Sequence, residues 1–374
     1  MEDHFRAHPA ARLFGPDGAE VPVAGAGGLI PADPPAQAIA RALAAGQGFR
    51  IGGDGPAPDQ GFETLTSGST GQPRRIARSV ASWTASFAVN ARLFGIGPGR
   101  RLAVLGGSVH SLSLYGALEG ACLGADVHVL AGLRPDRQAA RLAASEVDTL
   151  YATPAQLRGL DRPLPGLRLV LVGGSKLDAA LRAHLATLAP EAEIREFYGA
   201  AETSFITLAD AETPEGSVGR PYPGVEIRVD AGEVRVRSPY LFTGYASDPG
   251  GAVWQDGWLS VGEMGRMEGG FLWLDGRKGR MVTVADQNVF PEAIEALMET
   301  LPGITRAAVL PEPDPRRGTV LYAVAMGDPA AEAAVLAHLR QVLGPLKAPR
   351  RILWRDDWPE TAAGKTDFAA LVRA

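Results

Sequence analysis

The sequence predicts an α/β protein: a large N-terminal α/β domain with a small β subdomain, hinged to a smaller α+β C-terminal domain. Three observations predict it. Between Arg101 and Tyr198, short apolar runs alternate with helix-like stretches, the pattern of a largely parallel sheet under helices. After Gly219 the apolar period drops to two, as in half-buried antiparallel strands. A polar, glycine-bearing break, Gly276-Arg277-Lys278-Gly279-Arg280, then precedes a further series of strands and helices.

Residues 1–60 are rich in Gly, Ala and Pro with weak periodicity, and Pro34–Ala45 reads as a short helix ended near Gly46. Buried strands are expected at Leu102–Leu105, Val127–Leu130, Val147–Tyr151, Leu167–Val172 and Ile194–Tyr198. Helices are expected at Leu112–Leu123, Asp136–Ser145 and Leu177–Leu188. Val225–Val229 and Glu233–Arg237 alternate apolar and polar residues around Asp230-Ala231-Gly232, which fits a tight hairpin. Beyond the break come a strand (Met281–Val284), a helix (Pro291–Leu301), two strands (Thr305–Leu310, Thr319–Met326) and a helix (Ala331–Leu343). Pro291 suits a first helical turn, where its missing N–H is no loss. The expected domains are therefore residues 1–276 and 279–374, with a hinge near Arg277–Gly279.

Composition narrows the function. The chain has 374 residues, 46% hydrophobic and 21% charged, with a formal net charge of −5. No concentrated basic face for nucleic acid is expected from that balance. The start, Met1-Glu2-Asp3-His4-Phe5-Arg6, lacks the basic end and apolar core of a secretory signal. Leu102–Leu133, the longest low-charge stretch, is broken by His110, Glu119, Asp126 and His128. A mid-bilayer charge costs about 2.5–3.5 kcal/mol, so no membrane span is expected. Cys122 is the single cysteine, which excludes an intrachain disulfide and suits a reducing cytoplasm.

The strongest local signal is Thr64-Leu65-Thr66-Ser67-Gly68-Ser69-Thr70-Gly71-Gln72-Pro73-Arg74-Arg75. Its glycines let the backbone approach an anion, while N–H groups and hydroxyls donate to phosphate oxygens. Arg74 or Arg75 can add positive charge. The Gly-Lys-Ser/Thr ending of a Walker loop is missing. Thr66–Arg74 resembles the phosphate-binding signature of the adenylate-forming superfamily, which includes acyl-CoA synthetases, luciferases and peptide-synthetase adenylation domains. Further segments resemble that family in the same order.

The resemblance implies roles for particular residues. His110, in Val109-His110-Ser111, would gate the acyl pocket. Leu150-Tyr151-Ala152-Thr153-Pro154 and Val172-Gly173-Gly174-Ser175 would line the acyl and adenine pockets, placing Gly174 and Ser175 beside the nucleotide. In Glu196-Phe197-Tyr198-Gly199-Ala200-Ala201-Glu202-Thr203, Tyr198 would stack on adenine with Gly199 beside it. Glu202 would hold a magnesium ion bridging the ATP phosphates, since oxygen ligands suit that hard cation. The family's usual threonine before the glutamate is Ala201 here, and Thr203 is a candidate substitute. Ser217-Val218-Gly219-Arg220-Pro221 and Ser238–Tyr245 match structural segments. Asp256-Gly257-Trp258-Leu259-Ser260-Val261-Gly262-Glu263 resembles the ribose motif, with Glu263 where the family has aspartate. Arg277 matches a second ribose contact.

Pro359–Lys365 resembles the motif of the C-terminal catalytic lysine, after a Lys347–Arg351 segment that also fits. Lys176, Lys278, Lys347 and Lys365 are the only lysines among 37 basic residues. A compact ammonium on a flexible stem enters a crowded reacting centre that a broad guanidinium fills poorly. Preorganised charge of that kind suits attack of a carboxylate on the α-phosphate.

Two departures qualify the resemblance. Only 63 residues precede Thr64, so much of the family's N-terminal subdomain is missing, and a homo-oligomeric partner is expected to cover the shortened face. Thr283 and Asp286 replace a lysine and a glycine of the family, the latter where the thiol acceptor's arm passes. The leading expectation is ATP-dependent conversion of a small-molecule carboxylic acid to acyl-AMP, then transfer to CoA. An aryl acid such as a hydroxycinnamate, as used by the 4-coumarate–CoA ligases, is the first candidate. Two alternatives stand beside it: loading of an acyl carrier protein's phosphopantetheine, and a degenerate nucleotide- or acyl-binding protein without turnover.

Overall fold

The structure, a computed structural model, describes residues 4–65, 74–246, 251–284, 287–315, 318–360 and 366–372. Its centre is an eight-stranded sheet in the order Arg12–Phe14, Asp126–Val129, Arg101–Val104, Thr149–Ala152, Leu169–Val172, Glu193–Ala200, Ser204–Leu208, Arg220–Pro221. The first six are parallel and the last two antiparallel.

Burial on both faces explains the apolar runs of the parallel strands. Leu102, Val104, Leu169 and Leu171 face one core, with helices Pro35–Ala44, Ala81–Phe94 and Ser111–Leu123. Ala103, Leu105, Val170 and Val172 face the other, with helices Pro135–Ala144 and Ala179–Leu188. The five strands expected between Arg101 and Tyr198 are present within about two residues of their expected ends, the usual uncertainty of element boundaries.

Two smaller sheets flank this layer. One runs Gly244–Tyr245, Arg75–Arg78, Phe62–Leu65, Phe49–Ile51, Gly28–Ile30. The other is antiparallel and contains the expected hairpin, Glu226–Asp230 against Glu233–Arg237. Ala231 and Gly232 at its tip have φ of 47° and 82°, the positive pair that a two-residue hairpin turn requires.

The C-terminal domain has its own core, built from Ile294, Met298, Val309, Leu321, Ala323, Val335 and Leu339. Helices Pro291–Glu299 and Glu332–Leu343 pack there against strands Ile304–Asp314 and Gly318–Gly327. Strand Phe271–Arg277 is followed by a 3-10 turn, Lys278–Arg280. Lys278 still belongs to the first domain: its N–H donates to the Gly262 carbonyl at 2.8 Å and its ammonium pairs with Glu233 at 3.2 Å. Arg280 belongs to the second, pairing with Glu292 and Glu295 and lying over the Phe368 ring. Gly279 is the residue between the two anchors. Among the described residues no helix is long and apolar enough to cross a membrane.

Candidate active site

The carboxyl ends of the parallel strands, where open α/β sheets bind ligands, carry most of those expected residues that are described. Thr66, Ser67, Gly68, Ser69, Thr70 and Gly71 lie outside the described residues, as do Lys365 and Asp286. The stems of the glycine loop are described. Leu65 and Arg75 pair across antiparallel strands. On the first stem, the Leu65 N–H donates to the Val109 carbonyl at 3.1 Å, and the Thr64 and Ser111 hydroxyls are bonded to each other. His110 bridges to Leu65 at the same point and precedes helix Ser111–Leu123. His110 is half-buried, and burial lowers its pKa, so a neutral imidazole stands beside the loop stem near pH 7.

The second stem separates the two arginines. Arg75 donates to the carbonyl of Gly52 at 2.6 Å and to that of Ile51. A Cβ at Gly53 would stand 2.4 Å from its Nη2. Arg75 is therefore a brace within the sheet, and the expectation that it could serve the phosphates is corrected. Arg74 lies close enough to Tyr245 to oppose the rise in that tyrosine's pKa.

Tyr198, Gly199 and Glu202 follow one another at the end of strand Glu193–Ala200. A Cβ at Gly199 would fall 1.9 Å from the Ser204 carbonyl oxygen, so the turn admits only glycine there. Glu202 is half-buried. Its carbonyl accepts from the Phe242 N–H at 2.8 Å, and its Oε1 accepts from the Tyr245 hydroxyl at 3.1 Å. Beneath the turn, Arg78 is 2% exposed. Its guanidinium donates to the carbonyls of Ala201 and Tyr240 and, at 2.6 Å, to the Ser204 hydroxyl. Burial lowers its pKa to about 9, with Glu202 acting in the opposite direction.

Thr203 is a correction. It is 1% exposed, and its hydroxyl accepts from the Ala200 N–H at 2.9 Å while facing the Ala200 and Ser204 carbonyls. The turn consumes that hydroxyl, so it does not replace the one missing at Ala201.

Tyr198, Glu263 and Arg277 converge from separate segments. Glu263 is 7% exposed and lies opposite Arg277 in a strand pair, with Arg277 Nε donating to its Oε1 at 3.1 Å. The Tyr198 hydroxyl is raised well above its usual pKa, first by burial and then by the Glu263 charge, with Arg277 opposing. An aromatic ring, a carboxylate and a guanidinium thus share one locality, the donor and acceptor set a nucleoside needs.

Gly174 and Ser175 are exposed on the loop after strand Leu169–Val172, and Gly174 has φ of +100°. Gly173 makes room for a protein side chain. A Cβ there would meet the Phe197 ring at 2.3 Å. The small residues at 173 and 199 accommodate protein atoms. Among the described residues no group of three or more His, Cys, Asp or Glu could hold a metal. A lone Glu202 nevertheless suits Mg2+, which takes one or two carboxylates and completes its shell with phosphate and water.

The chain is similar to known proteins over most of its length. Residues 61–246 match the model described as "AMP-binding enzyme", and residues 293–365 match "AMP-binding enzyme C-terminal domain". The chain is 31% identical over 323 residues to the uncharacterized acyl–CoA ligase YhfT of Bacillus subtilis, covering 80% of this chain and 66% of that one. It therefore spans about two thirds of that relative's length. The amide bond synthetase McbA from Marinactinospora thermotolerans superposes with a TM-score of 0.72 at 27% identity, over 83% of this chain and 69% of that one. ATP-bound MatB from Rhodopseudomonas palustris, at 24% identity, shares the fold with a TM-score of 0.73, over 96% of this chain and 73% of that one. With both family models matched in order, the chain belongs to the AMP-binding enzyme family.

Proposed function

We propose that this protein is an AMP-forming acid–thiol ligase. A carboxylate oxygen attacks the α-phosphorus of ATP, the bond to the β-phosphate oxygen breaks, and pyrophosphate leaves. A thiol, most simply that of CoA, then attacks the acyl carbon and AMP departs. The carrying observation is the convergence of Tyr198, Glu263 and Arg277 beside the Glu202 turn. In this reading Tyr198 stacks on adenine, while Glu263 and Arg277 bind the ribose. Glu202 and the 66–71 loop hold the phosphates, and His110 flanks the acid. When bound, Mg2+ would neutralise phosphate charge at Glu202. Lys365 supplies the ammonium at the attacking carboxylate. ATP and CoA as co-substrates place the reaction in the cytoplasm.

Acid-dependent ATP–pyrophosphate exchange over a panel of aryl, short-chain and long-chain acids tests the reading. Exchange with at least one acid is expected, and none with any acid would overturn it. Lys365→Ala should slow that exchange by roughly 10²–10³, the worth of one preorganised charge donor. A second acceptor is favoured by Asp286, which stands where the family has glycine: a carrier protein's phosphopantetheine. Mass analysis after incubation with ATP, acid and either acceptor separates the two.

A further inference from the structure

Arg78 is a buried cation that the proposed chemistry does not use. Among the described residues no carboxylate lies within ion-pair distance of it, and its Nε has no hydrogen-bond partner. Removing a guanidinium from water is costly unless its surroundings are organised around it. An apolar side chain of similar length would fill the same space at lower cost. The surroundings here are organised, by neutral acceptors drawn from two distant segments.

Those acceptors bracket Glu202. The Ala201 carbonyl precedes it, the Ser204 hydroxyl follows two residues later, and the Tyr240 carbonyl opens the segment that delivers Tyr245. Ser204 closes the group by donating to the Tyr240 carbonyl at 3.1 Å. Gly244–Tyr245 then pairs with the strand that contains Arg78, with Tyr245 opposite Ile76 and Gly244 opposite Ala77. That strand emerges from the glycine loop. One planar fork therefore sets the glutamate turn, its tyrosine partner and the phosphate-loop stem in a common register.

We propose that Arg78 is the positioning residue for Glu202, holding its carboxylate against the Tyr245 hydroxyl, where it would take Mg2+. The proposal rests on the reading of Glu202 as the metal-binding residue. Lysine at this position keeps the charge but loses the planar fork.

The test is calorimetric titration with α,β-methylene-ATP, with and without Mg2+, for wild type, Arg78→Lys, Arg78→Met, Glu202→Gln and Arg78→Lys/Glu202→Gln, each checked by thermal unfolding. The readout is the gain in nucleotide affinity that Mg2+ confers. Groups that orient a metal ligand typically account for about 10–100-fold in metal affinity. A folded Arg78→Lys protein should lose roughly tenfold of that gain and keep its metal-free affinity, and the double variant should lose no more than Glu202→Gln alone. Arg78→Met should lose more than Arg78→Lys. If Glu202→Gln abolishes the gain while folded Arg78→Lys retains it in full, Arg78 is only a packing element and the proposal is overturned. Additive losses in the double variant overturn it equally. If Glu202→Gln itself leaves the gain intact, the metal reading of Glu202 fails first, and the role of Arg78 falls with it.

Discussion

Two glutamates, Glu119 and Glu202, show how this chain separates fold from site. Glu119 is fully buried between helices Ala81–Phe94 and Ser111–Leu123, and the protein saturates it. Asn90 donates to its Oε1 at 2.8 Å, Tyr115 donates to the same oxygen at 3.1 Å, and the Tyr151 hydroxyl bonds Oε2. The network continues through Tyr222, which donates to Asn90 at 2.6 Å. Burial lifts its pKa to about 7 despite those donors. Glu202 is the reverse. Its main chain is fixed on both sides, yet among the described residues its carboxylate accepts one hydrogen bond, from Tyr245. Saturation marks a carboxyl that serves packing, whereas a rigid backbone with spare acceptor capacity marks one held for an outside ligand.

The contrast is sharpest where the two side chains are replaced alike. Glu202→Gln should lower acid-dependent exchange by roughly 10²–10³ and shift unfolding free energy by about 1 kcal/mol or less, the ordinary range for a site off the core. Comparable losses of stability and exchange would erase the distinction. Glu119→Gln should leave exchange near wild type and change the pH profile of stability instead. The folded pKa lies above the unfolded one, so the folded state holds a proton that the unfolded chain releases. The stabilisation from this group is complete below about pH 4.5 and is lost as pH rises through about 7. Wild type should therefore lose up to roughly 3 kcal/mol across that window relative to Glu119→Gln, measured by urea unfolding at successive pH values. Parallel curves for the two proteins would refute the buried-acid description.

Smaller effects test the partners. Tyr151→Phe removes one donor from a buried carboxyl and should cost about 1–3 kcal/mol of stability, with no change in the Mg2+ dependence of exchange. Tyr245→Phe should do the converse, raising the Mg2+ needed for half-maximal exchange several-fold, toward roughly tenfold, with little change in urea midpoint. A Tyr245→Phe variant that unfolds early but keeps its metal response would place Tyr245 with the packing residues.

Much of the fold was legible in the sequence because parallel strands buried on both faces must be apolar throughout, as in Leu169-Val170-Leu171-Val172. Helix Ala81–Phe94 was not, because it buries Ser82, Ser86 and Asn90 beside Trp83 and Phe87 and shows no clean stripe. The strands Arg12–Phe14 and Ile352–Trp354 have three residues each, too few to display a period. In the site, the gathering of Tyr198, Glu263 and Arg277 followed from motif resemblance. Thr203 was misjudged because sequence does not say which way a hydroxyl points. The need for glycine at 173 and 199 was not legible because the atoms they make room for, the Phe197 ring and the Ser204 carbonyl, meet them only in the fold. Arg78 and Ala201 are separated by 123 residues along the chain, a pairing that no local pattern encodes.

The bond between Thr64 and Ser111, together with the Leu65–Val109 link, ties the stem of the glycine loop to the start of the helix that His110 precedes. Whatever tugs on that loop also moves His110. Cross-talk between nucleotide and acid would then need no relay through the distant domain, and would show up as a fixed order of substrate addition in steady-state kinetics.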